Sequence, residues 1–369
     1  MWNSWLAQEK LKWKLEKNDV SHESGSAFVS LMSDYLSIQS FLSRRQSFSV
    51  IDVRSPLEFS RGHIPGAINI PLFDDKERAD VGTIYKKSGK NKAILQGLKY
   101  TGEKLQELAS NILPLVRENQ VFIYCWRGGM RSGSMGWLVS LFNVNCFLLE
   151  RGYKEFRRFV LEVLSRKFLF QVIGGKTGSG KSDILKELKK RGEQVIDLES
   201  LANHKGSAFG YILKQQQPTQ EQFENMLAIE LNNFDISKKI WIEDESRMIG
   251  RVAVPKLIWE EIRNSKVFFM DLPVEARIDY LLSQYTDLDH SQLIDSLNSI
   301  SKRLGGNRTK MAEKELAEGN LAEFCKIILE YYDSAYEYGL SKREQSSIQY
   351  VKGLNVDPHN VDFFLKQGI

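Results

Sequence analysis

A single cysteine stands where a thiol becomes reactive. Cys125 follows an apolar run over residues 121–124, which predicts a buried parallel strand, and a helical pattern begins a few residues later. A thiol between a strand and a helix faces the N-terminal amides of that helix, whose partial positive charge favours the thiolate. The position therefore predicts that Cys125 is a nucleophile.

The loop that follows this cysteine has the composition of an anion-binding loop. Gly128 and Gly129 leave the backbone free to point successive N–H groups inward, and Arg127 and Arg131 add full positive charge. Such a loop would hold an oxyanion or a phosphate group beside the sulfur. The alternative is a buried structural cysteine with two solvated arginines, which would have no need of the loop glycines.

A second motif predicts a phosphate site. Residues 175–182 match the pattern G-x-x-x-x-G-K-[ST] in full, between a strand predicted over 168–173 and a helix predicted over 182–190. Loop amides and the helix N-terminus bind phosphate oxygens, the lysine neutralises charge, and the serine hydroxyl can reach Mg²⁺. The predicted phosphate-binding residues are Gly175, Gly178, Gly180, Lys181 and Ser182.

Two acids follow a further predicted strand, over residues 239–242. Glu243 or Asp244 could stand where a carboxylate holds metal-bound water, with Mg²⁺ as a possible ion. The alternative is a pair of solvated acids at the end of the strand. A loop that binds phosphates need not hydrolyse ATP, because it will cradle any diphosphate. The sequence leaves the metal requirement open.

Strand patterns alternate with helical patterns twice along the chain. This rhythm predicts two α/β units, each built on a parallel sheet, with a boundary near Arg166. We predict an N-terminal extension at 1–35 and domains at 36–165 and 166–369. The strands are predicted at 48–53, 67–70, 121–124 and 146–149 in the first unit, and at 168–173, 194–198, 239–242 and 267–270 in the second.

Composition narrows the class of protein. The chain has 369 residues, of which 42% are hydrophobic and 27% charged, so it is not wholly disordered and can build two sizeable cores. Three cysteines are too few for a secreted disulfide scaffold and predict a reducing compartment; Cys146 and Cys325 are expected to be structural. No apolar run approaches the ~20 residues of a membrane span, so we expect a cytoplasmic protein without membrane contact.

The first unit resembles a rhodanese-like (sulfurtransferase) domain. Residues 52–71 are similar to the rhodanese signature, and Cys125 falls where the rhodanese nucleophile sits. The segment 149–156 resembles the usual end of such a domain. One departure is the spacing of five residues between Cys125 and Arg131, which is also that of cysteine phosphatases of the related cell-cycle type.

A rhodanese-like domain followed by a P-loop domain resembles the tRNA 2-selenouridine synthase family, and the resemblance covers residues 37–369. Segments 77–86 and 302–308 distinguish this family from other proteins with either domain, because neither segment is a general feature of rhodaneses or of P-loop kinases. The resemblance implies a transferase that acts on wobble 2-thiouridine in bacterial tRNAs for Lys, Glu and Gln. It implies selenium from selenophosphate in place of sulfur, and transfer of a geranyl group from geranyl diphosphate onto that sulfur. Cys125 would form a selenium-bearing adduct or assist release of the geranyl thiol, and the sequence does not decide between these roles.

Binding of tRNA requires a basic surface, although the formal net charge is only +4. Three stretches are rich in basic residues. There are eight basic residues and three acids in 76–104, six and two in 151–167, and five and one in 301–314. Each stretch is either part of a tRNA surface or an ordinary solvated face. The candidate tRNA-binding residues are Lys86, Lys87, Arg157, Arg158, Arg303 and Arg308.

Other activities stay open on the sequence alone. A general rhodanese-type sulfurtransferase with a nucleotide-binding domain would form a persulfide on Cys125 and need no tRNA. A cysteine phosphatase would hydrolyse aryl phosphates, yet Tyr124 stands where such enzymes usually carry histidine. A small-molecule kinase would consume ATP without tRNA. A tRNA-binding adaptor with degenerate sites is disfavoured because the thiol and Lys181 are both present. The sequence does not give the oligomeric state.

Overall fold

Two five-stranded parallel sheets organise the chain and confirm the predicted α/β class. The computed structural model describes residues 33–204, 216–285, 290–352, 357 and 360–367. The extension predicted at 1–35 lies outside the described residues except for its last three positions. Within the described ranges, no helix is long and apolar enough to cross a membrane.

The first sheet contains β1 Asp34–Leu36, β2 Val50–Asp52, β3 Ile68–Asn69, β4 Gln120–Tyr124 and β5 Asn145–Leu149. Its order is β1-β5-β4-β2-β3, and every neighbouring pair is parallel. β4 lies at the centre, where its apolar run is buried on both faces. The sequence analysis missed β1, because three mostly exposed residues carry no strand pattern and only the pairing with β5 defines the strand. Two residues of the predicted extension therefore belong to this sheet.

The helices of the first unit are α1 Ile38–Arg44, α2 Pro56–Arg61, α3 Asp75–Ser88, α4 Lys90–Gly102, α5 Leu105–Ile112, α6 Met130–Ser140 and α7 Gly152–Val163. Capping boxes start both α2, where Ser55 pairs with Glu58, and α3, where Asp74 pairs with Glu77. α3 and α4 form a hairpin from a lysine-rich stretch in which the sequence predicted no element. The hairpin shows little periodicity because α3 buries no residue.

The second unit contains β6 Leu169–Gly175, β7 Gln194–Ile196, β8 Lys239–Glu243, β9 Met248–Ile249, β10 Val252–Ala253, β11 Val267–Asp271 and β12 Ile348–Lys352. Five of these strands form a parallel sheet in the order β12-β11-β6-β8-β7, and β9 pairs with β10 antiparallel. β6 and β8 are direct neighbours, so the residues that follow them meet at one edge of the sheet. This edge is where open α/β sheets bind their ligands.

The helices of the second unit are α8 Lys181–Lys190, α9 Leu198–Leu201, α10 Gln220–Asn232, α11 Lys256–Asn264, α12 Val274–Tyr285, α13 His290–Leu304, α14 Gly306–Ala317, α15 Leu321–Ser341 and α16 Val361–Gln367. α8 and α16 share an apolar cluster with one face of the sheet. α10 and α11 contribute to the cluster on the other face. α12 to α15 contribute to a separate helical core around Leu297, Phe324 and Ile328.

The two units share one continuous core. Phe156 of α7 and Phe223 of α10 are fully buried in the same apolar cluster. Asn225 of α10, also fully buried, donates hydrogen bonds to the His63 carbonyl (3.0 Å) and to the Tyr153 hydroxyl (2.8 Å). The contact between α7 and α10 therefore fixes the two units against each other through apolar packing and buried hydrogen bonds.

Removal of the Asn225 amide tests this interface. We expect Asn225→Ala to lower the free energy of unfolding by about 1–3 kcal/mol, because the buried His63 carbonyl and Tyr153 hydroxyl lose a donor. Urea denaturation measures the loss. Asn232→Ala is the matched control, since Asn232 lies on the same helix but is exposed. Equal losses in the two variants would contradict the assignment.

Candidate active site

The thiol lies at the carboxyl end of β4, where the chain turns into α6. Cys125 is only 3% exposed, and its Sγ lies 3.2 Å from the hydroxyl oxygen of Ser132. Ser132 is fully buried in the first turn of α6 and also contacts the Gly129 carbonyl, at 3.1 Å. The Ser132 hydroxyl donates its one proton to the Gly129 carbonyl, so it accepts from the Cys125 thiol as placed and could donate to the sulfur only after turning away from that carbonyl. Sequence reasoning missed Ser132, although its place directly after Arg131 was a usable signal.

Backbone contacts fix the shape of the thiol loop. Gly128 has a positive φ of 60°, and a Cβ there would come within 2.5 Å of the Leu149 carbonyl oxygen. Gly152, at φ 59°, would place a Cβ 2.1 Å from the Cys125 carbonyl oxygen. The Tyr153 N–H donates to that same carbonyl, at 2.8 Å. The loops after β4 and β5 thus interlock through close approaches that only glycine allows.

The two predicted arginines of this loop have different surroundings. Arg127 is exposed. Arg131 donates to the Glu58 carboxylate, with Nη1 to Oε2 at 2.6 Å and Nη2 to Oε1 at 3.3 Å. Burial raises the pKa of Glu58, but the hydrogen bond and charge of Arg131 outweigh this effect and the pKa is lowered overall. The charge that was predicted to hold an anion is therefore partly compensated by Glu58, which sequence reasoning missed although its capping-box position was readable.

The P-loop has the arrangement that the sequence predicts. Gly175 ends β6, Gly180 directly precedes α8, and the half-buried Ser182 lies in the first turn of that helix. The Lys181 ammonium donates to the Gly175 carbonyl at 2.8 Å, so the lysine folds back over its own loop. Gly178 lies in the same loop. The motif thus brings the loop, the helix N-terminus and the lysine together, and such an arrangement can bind an anion.

The two acids predicted near the P-loop have different partners. Asp244 accepts from Arg343 at 2.5 Å within the protein, so it is paired with a buried cation. Glu243 is fully buried, and one of its oxygens accepts from the Glu199 N–H at 2.9 Å. Its other oxygen has no hydrogen-bond partner among the described residues. Of the two predicted acids, Glu243 is the one with a fully buried oxygen that lacks a hydrogen-bond partner among the described residues.

Carboxylate oxygens of Glu199, Glu243 and Glu245 lie within 4.8 Å of one another. Burial, followed by the charges of Glu199 and Glu245, raises the pKa of Glu243 well above its ordinary value. Burial and the Glu199 charge raise the pKa of Glu245 to about 8, against the opposing effect of Lys181. Oxygen donors of this kind suit Mg²⁺, so the cluster fits the ion that the P-loop motif implies. A bound Mg²⁺ would neutralise phosphate charge beside Lys181.

The candidate tRNA-binding residues divide into two groups. Arg157 donates to Asn225 and to Glu224, both at 2.6 Å, across the contact between the two units. This placement corrects its interpretation as part of an open basic surface, because its guanidinium is already paired and mostly buried. Arg158 is exposed and pairs with Glu155 on its own helix. The others, all exposed, are Lys86, Lys87, Arg303 and Arg308.

Comparison with known proteins identifies the family. A model described as the AAA domain of tRNA 2-selenouridine synthase matches residues 168–357, and the rhodanese-like domain model matches 37–159. A tRNA 2-selenouridine synthase of Shewanella woodyi is 33% identical and aligns with 81% of this chain and 90% of its own length. A tRNA 2-selenouridine synthase of Bdellovibrio bacteriovorus is 35% identical, and the alignment covers 81% of this chain and 90% of that protein. The chain belongs to the tRNA 2-selenouridine synthase family.

Within this tRNA 2-selenouridine synthase architecture, the two discriminating segments occupy defined places. Segment 77–86 lies in α3, close to the thiol side of the first unit, because Arg78 approaches Glu58 at 3.5 Å. Segment 302–308 spans the junction of α13 and α14, which carries the exposed Arg303 and Arg308. Neither segment contributes to the strands of the two sheets, so its pattern is not explained by sheet packing.

The Glu58–Arg131 pair gives a prediction about thiol chemistry. We expect Glu58→Gln to raise the rate of Cys125 alkylation by anionic iodoacetate, relative to neutral iodoacetamide, by about fivefold, since Arg131 then attracts anions uncompensated. Mass spectrometry of the modified peptide measures both rates. Glu77→Gln is the matched control, because Glu77 occupies the same capping-box position in α3 but pairs with Lys104. An unchanged rate ratio in Glu58→Gln would refute the compensation.

The acid cluster gives a pH dependence. In the folded chain Glu245 keeps its proton up to about pH 8, whereas the unfolded chain loses it near 4.5. Stability from this group is therefore present below about 4.5 and is lost as pH rises towards 8. In Mg²⁺-free buffer we expect the thermal midpoint to fall over this window, and to fall less in Glu245→Gln. Glu313→Gln is the control, because Glu313 is exposed, and its thermal midpoint should fall with pH as steeply as that of the wild type. If the thermal midpoint of Glu245→Gln also fell as steeply as that of the wild type, the assignment would be contradicted.

Proposed function

We propose that the chain converts wobble 2-thiouridine into 2-selenouridine in the tRNAs for Lys, Glu and Gln. Selenophosphate is the proposed selenium donor, and the proposed route passes through S-geranylation with geranyl diphosphate. The observation that carries the proposal is a buried thiol loop and a complete P-loop in one chain of this family, fixed against each other by α7 and α10. A tRNA substrate is consistent with a cytoplasmic enzyme.

The first step assigns a task to the P-loop. The thione sulfur attacks C1 of geranyl diphosphate, an S–C bond forms, and the allylic C–O bond breaks with its electron pair leaving on pyrophosphate. The uridine ring releases its N3 proton. Lys181 and the loop amides stabilise the departing pyrophosphate, because charge grows there as the bond breaks. Glu243 and its neighbours would hold Mg²⁺ against the same phosphates.

The second step assigns a task to the thiol loop. Selenium of selenophosphate attacks C2, and the alkylated sulfur leaves as geranyl thiol after it takes up a proton. Water then cleaves the Se–P bond and releases phosphate. The N–H groups of the loop and Arg131 suit a compact anion such as selenophosphate, once Arg131 exchanges Glu58 for that anion. Cys125 lies beside this anion, and its thiol can give the proton that the geranyl thiolate takes up as the C2–S bond breaks. A selenium adduct on Cys125 is not part of this step, because an S–Se bond between a thiol and selenide-level selenium would require an oxidant.

The exposed basic residues suit the RNA backbone. Lys86 and Lys87 end α3, and Arg303 and Arg308 flank the junction between α13 and α14. Lysine and arginine side chains that neutralise phosphates release counterions, which makes binding dependent on salt. Arg157 is left out of the proposed surface because of its pairing with Glu224.

Nucleoside mass spectrometry tests the function. Wild-type protein, 2-thiouridine tRNA, geranyl diphosphate and selenophosphate should yield selenouridine, and omission of selenophosphate should leave S-geranyl-2-thiouridine. We expect Lys181→Ala to slow geranylation at least tenfold, because pyrophosphate loses its charged partner. Cys125→Ser should block selenation and accumulate the geranylated nucleoside.

The control variant is Cys146→Ser, since Cys146 is a buried cysteine in β5 outside the thiol loop. If wild-type protein produces neither selenouridine nor S-geranyl-2-thiouridine, the proposal is overturned. Persulfide formation on Cys125 from thiosulfate, without any change in tRNA, would instead support the general sulfurtransferase. Undiminished selenation by Cys125→Ser would remove the thiol from the mechanism.

A further inference from the structure

An open cleft lies beside the P-loop, between α11 and α15. Its floor is the chain after β8, residues 244–247, and its volume is about 490 Å³. α11 contributes Trp259 and Arg263 to one wall, and α15 contributes Tyr336 and Leu340 to the other. The thiol loop does not line this cleft, so it is distinct from the first site.

One tyrosine separates the cleft from the phosphate loop. The Tyr336 hydroxyl donates to the Asp244 carbonyl at 3.1 Å and accepts from the Gly175 N–H at 3.4 Å. The Lys181 ammonium lies 5.4 Å from the centre of the same ring. One side chain, that of Tyr336, therefore stands between a molecule in the cleft and a diphosphate that Lys181 would hold.

The cleft combines aromatic surface with cations. Trp259 and Tyr336 are half-buried, so part of each side chain remains accessible. Arg247 and Lys342 also line the cleft and are exposed, and the acids Glu245 and Glu260 belong to the same lining. Arg263 is anchored by a 2.8 Å hydrogen bond to the Gly339 carbonyl, with its guanidinium 5.9 Å from the centre of the Trp259 ring system. Aromatic faces flanked by arginine and lysine are the features that bind unpaired nucleotides.

We propose that this cleft holds the acceptor nucleotide of the RNA, with the base against Trp259 and Tyr336 and the neighbouring phosphates on Arg247 and Lys342. The inference rests on the proposed function. Alkylation requires the acceptor sulfur to come within about 3–3.5 Å of the donor carbon, and that carbon is bonded to the diphosphate on the P-loop. The acceptor base must therefore sit beside the P-loop, where the cleft lies.

The hydrocarbon chain of the donor is the competing occupant. A prenyl chain gains most from an enclosed apolar pocket. This cleft is open and is lined by Glu260, Arg263 and Lys342 among other charged groups. A hydrocarbon there would shield these charges from water without pairing them, which is costly. A nucleotide offers a flat ring for the aromatic groups and phosphates for the cations.

Binding of a 2-thiouridine anticodon stem-loop to the full chain tests the cleft. We expect Trp259→Ala to weaken RNA binding about 5- to 100-fold, as for loss of one stacked base. Arg247→Ala should lower the slope of log Kd against log salt by about 0.7, as for loss of one phosphate contact. Affinity for pyrophosphate should stay at the wild-type value in both variants. The matched controls are Trp137→Ala, an exposed tryptophan on α6, and Arg251→Ala, an exposed arginine outside the cleft.

Photocrosslinking covers the case in which Trp259→Ala fails to fold. Irradiation of wild-type protein with the 2-thiouridine RNA should attach the RNA to peptides containing Trp259 or Tyr336, and crosslinks elsewhere alone would overturn the inference. Wild-type RNA affinity in folded Trp259→Ala and Arg247→Ala would also overturn it, while the proposed function stands if the wild type still modifies tRNA. A third outcome would assign the cleft to the prenyl chain. In it, Trp259→Ala binds geranyl diphosphate more weakly than the wild type does, while its affinities for pyrophosphate and for the RNA are unchanged.

Discussion

The buried ion pair between Asp52 and Arg54 is the interaction on which the rest of the structure depends. Both residues are fully buried, and Arg54 Nη2 lies 2.6 Å from Asp52 Oδ2. A charge pair in the interior is costly unless its remaining donors are satisfied. The same Nη2 also donates to the Gly62 carbonyl at 2.7 Å, and the guanidinium lies 3.8 Å from the centre of the Tyr153 ring. The pair thereby links the end of β2, the loop after α2 and the start of α7.

Tyr153 connects this ion pair to the thiol loop and to α10 of the second unit. Its backbone N–H fixes the Cys125 carbonyl, its ring covers Arg54, and its hydroxyl donates to Glu221 of α10 at 2.7 Å. Burial and the Glu221 hydrogen bond raise the pKa of Tyr153 far above the working range, so the hydroxyl stays a donor. The position of the thiol loop is thus tied to the unit that carries the P-loop. Because the two units share a core, the thiol loop and the P-loop belong to one packed structure.

The sequence predicted the parts that depend on neighbouring residues. An apolar run, a glycine loop and a helix are local, so the settings of Cys125 and Lys181 were readable, as were the two parallel sheets. Partners from distant segments were not readable. Glu58, which pairs with Arg131, lies 73 positions earlier, and Glu224, which pairs with Arg157, lies 67 positions later. A basic residue looks the same in sequence whether it faces solvent or an acid across a domain contact.

Charge at the second site explains why a phosphate loop stands beside buried acids. Carboxylate oxygens within 4.8 Å repel one another by about 3 kcal/mol per ionised pair at an effective dielectric constant of about 20. A diphosphate on the P-loop would add negative charge at the same edge of the sheet, and Lys181 supplies one positive charge. Protonation of Glu243 and Glu245 relieves the repulsion without a ligand, which agrees with their raised pKa values. A divalent cation held by these oxygens would relieve it when a phosphate is bound, and on this proposal phosphate binding, cation binding and proton release would be coupled.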